Sequence, residues 1–188
     1  MNKLFKIILV VFVLLCGIPN NKVTASEYVS NFQRIPLIEE SPPRVANWKN
    51  PPTIIVCDGA PISKYKINKA VKFWENLGHK FKEVQYKTDP LDKCNDPNPI
   101  GYILIYRVKP ELKFTVDTMA QTHFYIDNAT CELQYARIYF ILKVQETILE
   151  HELGHALGFL HYNKTNHLMN EKWILGGWNT EGLRESQK

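Results

Sequence analysis

The chain has 188 residues, 45% of them apolar, and a formal net charge of +4. That length and composition can close one buried core, so a single domain and a monomer are expected. The lysines are spread along the chain and form no run that would grip a phosphate backbone, so nucleic acid is excluded as an expected partner.

Residues 1–25 differ from the rest. "MNKLFK" gives a basic start, "IILVVFVLLCG" an apolar run of eleven, and "VTA" small residues before Ser26. This is the pattern of an export signal cleaved after Ala25, placing the protein in the periplasm or outside the cell. A bilayer-spanning helix needs about 20 apolar residues, so no stable membrane insertion is expected after cleavage. Leu14 and Leu15 are bulky for lipoprotein processing at Cys16. The exported chain would carry Cys57, Cys94 and Cys131 in an oxidising compartment, enough for one disulfide and one remaining thiol. None forms a C-x-x-C pair, which argues against a thiolate zinc cage.

Residues 26–52 contain Pro36, Pro42, Pro43, Pro51 and Pro52 without sustained periodicity, and read as an extended lead-in or short propeptide. No cysteine lies between Ser26 and Val56, so latency through a propeptide thiolate is excluded.

Residues 53–188 form the expected domain. "TIIVC" from Thr53 is a short β-branched strand closed by the turn "DGAP". Apolar Ile67, Ala70, Val71, Trp74 and Leu77 then recur at helical spacing, with Gly78 where a helix terminates. "FKEVQY" alternates as a half-exposed strand, and "GYILIYRV" from Gly101 reads as a buried central one. "MAQTHFYIDNATCELQYARIYFI" has two aromatic and β-branched arms around a bend at Asp127 to Thr130, a hairpin. The order strand, helix, two strands, hairpin, helix predicts an α+β fold. Its mixed, twisted sheet has about five strands, one of them an antiparallel edge strand, with helices packed on it. If the strands near Cys94 and Cys131 are parallel neighbours, those two cysteines should pair.

The last helix should run from about Val144 to Leu157. Leu149, Leu153, Ala156, Leu157 and Leu160 form an anchoring stripe, and Ile148, His151, Glu152 and His155 form the stripe beside it. His151 and His155 differ by only about 40° around the axis and stand one turn apart, within reach of a single ion. Glu152 lies about 60° beyond His155 on the same side, suited to activate a water without ligating the metal. A continuing helix would carry His161 about 9 Å along the axis and about 120° from His155. Gly158 can instead adopt the left-handed conformation that ends the helix and turns His161 back. Three neutral imidazoles leave one tetrahedral position open, the arrangement of a catalytic zinc. At this chain's composition, chance would place these His, Glu and Gly residues in register on the order of two times in 100,000.

"HELGHALGFLH", His151 to His161, resembles the H-E-x-x-H-x-x-G-x-x-H signature of the metzincin zinc metallopeptidases, and its flanks are most similar to the matrixin branch. Met169 in "NHLMN" is similar to the family's Met-turn, whose methionine underlies the metal. The hairpin and the first strand and helix resemble the family more weakly, over roughly Thr53 to Trp178. The likeness implies a backing helix, an active-site helix, one Zn2+ on His151, His155 and His161, and Glu152 as catalytic base. It also implies structural roles for Gly158 and Met169, and a peptide or protein substrate lying along the edge strand near Ala120 to Tyr125. The implied activity is that of a secreted zinc-dependent endopeptidase, a metalloprotease hydrolysing peptide bonds through a zinc-bound water activated by Glu152. A cell-wall amidase and a catalytically idle zinc module are the rival readings. Retention of the base speaks against the idle module.

The sequence departs from the family in places. No tyrosine follows Met169 by two residues, and the tail after Trp178 is short for a final helix. Asp58, Asp89, Asp92, Asp96 and Asp117 form no loop pattern, so calcium has no motif to support it. His167, in polar "NKTNH", is expected to be a solvated loop residue, and His79 and His123 have no distinctive setting. Trp173 and Trp178 are expected either to wall a substrate pocket or to join the core.

Overall fold

The structure is a computed structural model that describes residues 23–24, 41–86, 92–108, 119–141, 144–145 and 147–185. Apart from Val23 and Thr24, the expected export signal and residues 26–40 of the expected lead-in lie outside the described residues.

The strands are β1 (Val23–Thr24), β2 (Asn47–Trp48), β3 (Thr53–Val56), β4 (Glu83–Tyr86), β5 (Tyr102–Arg107), β6 (Ala120–Asp127) and β7 (Glu132–Phe140). Helix α1 covers Lys64–Asn76, helix α2 covers Ile148–Ala156, and Trp173–Leu175 form one 3-10 turn. One sheet runs in the order β1-β6-β7-β5-β3-β4, with β2 also paired to β7. β2, β3, β4, β5 and β7 are mutually parallel, while β6 is antiparallel to both β7 and β1. The α+β class, the antiparallel hairpin arm and the two helices match the expectation, but among the described residues the sheet has seven strands and not about five, and β1 lies outside the hairpin arm expected at the edge.

The central strands are apolar runs for a physical reason. Ile54, Ile103, Ile105, Ala136 and Ile138 face the helices, whereas Ile55 and Leu104 fill a smaller cluster on the other face with Cys57. Both faces are covered, so alternation is lost and β-branched residues predominate. α2 packs against α1 and against β6 and β7.

The disulfide differs from expectation, since Cys57 pairs with Cys94 at a Cα separation of 5.9 Å. β3 neighbours β5, and Val56 lies opposite Ile105, so Cys57 sits at the C-terminal end of the parallel strands. The loop bearing Cys94 is tied to that same end, because the Tyr106 hydroxyl donates to the Cys94 carbonyl at 2.8 Å. Cys131 precedes β7 and therefore lies at the opposite end of the sheet. None of the described cysteines is a free thiol, so the expected unpaired one is not found.

Residues 41–52 are built into the domain. Ala46 is buried in the core, β2 pairs with β7, and the Trp48 indole N–H donates to the Ala156 carbonyl at 2.8 Å. At the other end of the chain Leu183 is fully buried, and Glu185 accepts from Arg44 at 2.6 Å and contacts His79 Nδ1 at 3.0 Å. No helix follows Trp178 among the described residues.

Candidate metal centre

Helix α2 is shorter than its hydrophobic pattern. Thr147 adopts φ 69°, a left-handed conformation that an α-helix cannot continue through, so the helix begins at Ile148 and not near Val144. Val144 joins the core from an irregular segment instead. At the other end Gly158 has φ 94°. The Phe159 N–H donates to the Gly154 carbonyl and the Gly158 N–H to the His155 carbonyl, the paired bonds of a Schellman cap. The chain then reverses and delivers His161.

A Cβ added at Gly158 would lie 2.2 Å from the Ala46 carbonyl oxygen. Glycine is therefore required twice, for the left-handed turn and for the close approach of the lead-in. That approach is fixed by Val45 N–H donating to the Gly158 carbonyl at 2.9 Å and Leu160 N–H to the Pro43 carbonyl at 2.8 Å.

The expected ligands meet. His155 Nε2 lies 3.0 Å from His151 Nε2 and 3.1 Å from His161 Nε2. A tetrahedral zinc with Zn–N of about 2.0–2.1 Å sets its nitrogens about 3.3 Å apart, so the observed spacing fits one ion. The Nδ1 atoms of His151 and His155 each lie 2.7 Å from a carbonyl oxygen, Leu168 and Phe159 respectively. Only an Nδ1–H can make those bonds, which leaves bare lone pairs facing one another on the two Nε2 atoms. Facing lone pairs repel unless a cation lies between them, and this is the chemical reason the cluster suits a metal. Burial, followed by the neighbouring imidazoles, pulls His151 down to about 4 and His155 well below the ordinary histidine value. Burial also lowers His161 to about 4. All three rings are thus neutral and ready to ligate at pH 7.

Around the α2 axis, Glu152 and Gly154 lie about 80° to either side of the direction shared by His151 and His155. On the Glu152 side stands β6. The Thr122 hydroxyl is 2.5 Å from Glu152 Oε2, and burial pushes the Glu152 carboxyl up to about 7. On the Gly154 side stands Met169, fully buried. A Cβ on Gly154 would meet Met169 Sδ at 2.5 Å and the Trp74 ring at 2.9 Å. The missing side chain lets both pack against the turn that carries the histidines.

His167 overturns its expectation, for it is completely buried. Its Nδ1 accepts from the Met169 N–H at 3.1 Å and its Nε2–H donates to the Glu181 carbonyl at 3.0 Å, while Tyr162 packs edge-on at 4.8 Å. Both nitrogens are satisfied, so a neutral ring can be buried among polar neighbours in sequence. It is not part of the imidazole cluster. His79 is likewise buried, with Nε2 2.8 Å from the Leu183 carbonyl. Trp173 and Trp178 are not in the core, since each is 46% exposed, and Trp178 packs on Phe73 of α1.

Sequence reasoning missed Thr122, Gly154 and the Leu168 and Phe159 carbonyls. Gly154, inside the H-E-x-x-H turn, was the one with a visible signal, because an interior helical glycine calls for a packing reason.

No family model matches this chain, and no curated protein matches it. What stands without such support is a cluster of three histidines, His151, His155 and His161, that could hold a metal ion such as zinc.

Proposed function

We propose that the chain is an exported zinc-dependent endopeptidase of the metzincin type, resembling the matrixins, with Glu152 as its general base. The observation that carries the reading is a buried carboxyl, Glu152, on the turn of α2 that carries His151 and His155. Metal binding alone needs no such group, and a carboxyl 6% exposed and pushed up to about 7 weakens the fold at neutral pH. Zinc on the histidines would act as a Lewis acid, lowering the pKa of a bound water and drawing charge from the scissile carbonyl. Glu152 would take the proton of the attacking water and pass it to the leaving amine. One carboxyl beside the water can serve first as base and then as acid. Gly158 returns His161 to the other two ligands, and Met169 supports their turn from beneath.

The substrate would lie extended along β6. Support comes from β1, which pairs antiparallel to that edge through Val23 with Phe124 and Thr24 with His123, so the edge accepts an extended chain. Cleavage after Ala25 would remove β1 and open those positions to a peptide. The Cys57–Cys94 disulfide favours an oxidising compartment, and no described helix is long and apolar enough to cross a membrane. Cleavage-site profiling of the zinc-loaded, exported protein on a peptide library tests the reading. Cleavage that stops with a chelator and returns with zinc is expected. A library left intact, or hydrolysis confined to sugar-linked amides, would refute it.

A further inference from the structure

We infer that Thr122 is the positioning residue for Glu152, fixing which carboxylate oxygen handles the proton; the inference rests on the hydrolytic reading above. The inward face of β6 carries Ala120, Thr122, Phe124 and Ile126, and the three apolar members join the main core. Thr122 alone in that row is polar, and it is 2% exposed. A hydroxyl in such a row costs stability unless it is hydrogen-bonded, and valine would fill the same volume without that cost.

The Thr122 hydroxyl has two acceptors within reach, Glu152 Oε2 at 2.5 Å and the Glu152 backbone carbonyl at 3.2 Å. It has one proton to give. The shorter, charge-assisted contact takes it, while the helix carbonyl already lies within the backbone pattern of α2. Donation to Oε2 withdraws charge from that oxygen and fixes the plane of the carboxylate, leaving Oε1 as the more basic, unencumbered oxygen. The proton from water would therefore arrive at Oε1 and leave from Oε1. Because β6 is also the strand beside which the substrate would lie, one strand would set both the line of the peptide and the aim of the base.

Thr122→Val keeps the shape and removes the hydroxyl, and Thr122→Ser keeps the hydroxyl. Both variants of the full exported chain would be compared with wild type for zinc content, thermal midpoint, kcat and KM on a cleaved peptide, and calorimetric affinity for acetohydroxamic acid. That probe chelates zinc and presents a hydroxyl to the base without turnover. For Thr122→Val we expect full zinc content, kcat lower by about 30-fold and KM within about twofold. Its affinity for acetohydroxamic acid should fall about tenfold, and Thr122→Ser should restore both quantities to within about threefold of wild type. A valine variant with unchanged kcat, or a serine variant that falls as far as valine, overturns the inference. Should wild type bind zinc yet cleave no peptide, the endopeptidase reading fails, and acetohydroxamic acid decides alone: equal affinity in wild type and Thr122→Val overturns the role of Thr122. A wild-type chain that takes up no zinc overturns both.

Discussion

Helices α1 and α2 end alike and are otherwise opposites. Each closes with a Schellman cap on a left-handed glycine, Gly78 in α1 and Gly158 in α2. α1 begins at Ser63, whose hydroxyl accepts from the Lys66 N–H, and buries only Ile67, Ala70, Val71 and Trp74 of its 13 residues. α2 begins at a left-handed Thr147 with no side-chain cap, and of its nine residues all but His151 are buried, two carboxyl groups among them. α1 is thus an ordinary amphipathic helix that local rules would form. α2 is held by its surroundings: by the Trp74 indole on the Glu150 carbonyl, by Trp48 on the Ala156 carbonyl and by the carbonyls that orient its imidazoles. Polar groups inside a helix of this kind weaken the fold, and costs of that sort gather at functional sites.

Four perturbations sharpen the contrast, beginning with the ligands. His155→Ala should weaken zinc binding by about a thousandfold, measured by competition with a chromophoric chelator, because two nitrogens remain where three converged. The matched glycines come next. Gly158→Ala should cost about 3–5 kcal/mol in chemical denaturation, since left-handed strain adds to a Cβ 2.2 Å from the Ala46 oxygen. Gly78→Ala should cost about 1–2 kcal/mol, because its Cβ would meet Glu185 Cβ at 3.3 Å and only the turn is strained. Equal losses at the two glycines would show that α2 is no more tightly enclosed than α1.

The third concerns charge. Burial raises the Glu152 carboxyl from 4.5 to about 7. Below 4.5 the group is neutral in the folded and the unfolded chain and contributes no difference. Above about 7 the metal-free fold must hold it ionised in a buried place, so its penalty grows as pH rises through that window. Glu152→Gln should therefore stabilise the metal-free protein by about 3 kcal/mol at pH 8, with the gain vanishing near pH 4. Denaturant titrations at the two pH values check it, and a gain that is independent of pH would contradict the assignment. The smallest effect belongs to α1, where Ser63→Ala should cost about 0.5 kcal/mol, the capping bond being 3.4 Å long.

The same contrast explains what could be read from the sequence. α1, the strands β3 to β5 and the hairpin follow from periodicity and turn chemistry, and the three expected ligands follow from angular arithmetic once Gly158 breaks the helix, whereas β1 and β2 lie where no strand is expected. The interactions that complete the centre join residues distant in sequence. Thr122 reaches Glu152 from another element 30 residues away, and nothing in "QTHFY" distinguishes that hydroxyl from any strand threonine. His167 looked solvated because its neighbours are polar, yet Met169 and Glu181 satisfy both its nitrogens. The apolar pattern runs on through Val144 and so predicts an earlier start for α2 than Ile148, because a left-handed threonine leaves no mark in that pattern. The disulfide pairing depended on which end of the sheet the Cys94 loop returns to, which strand order alone does not specify.

The central claim is that the imidazoles hold zinc and that Glu152 performs the proton transfers. Its most direct test is zinc content and peptide cleavage measured together on Glu152→Ala. Zinc at the wild-type ratio with cleavage at least about a thousandfold slower is the predicted result. Cleavage within about tenfold of wild type by the zinc-loaded variant would contradict it.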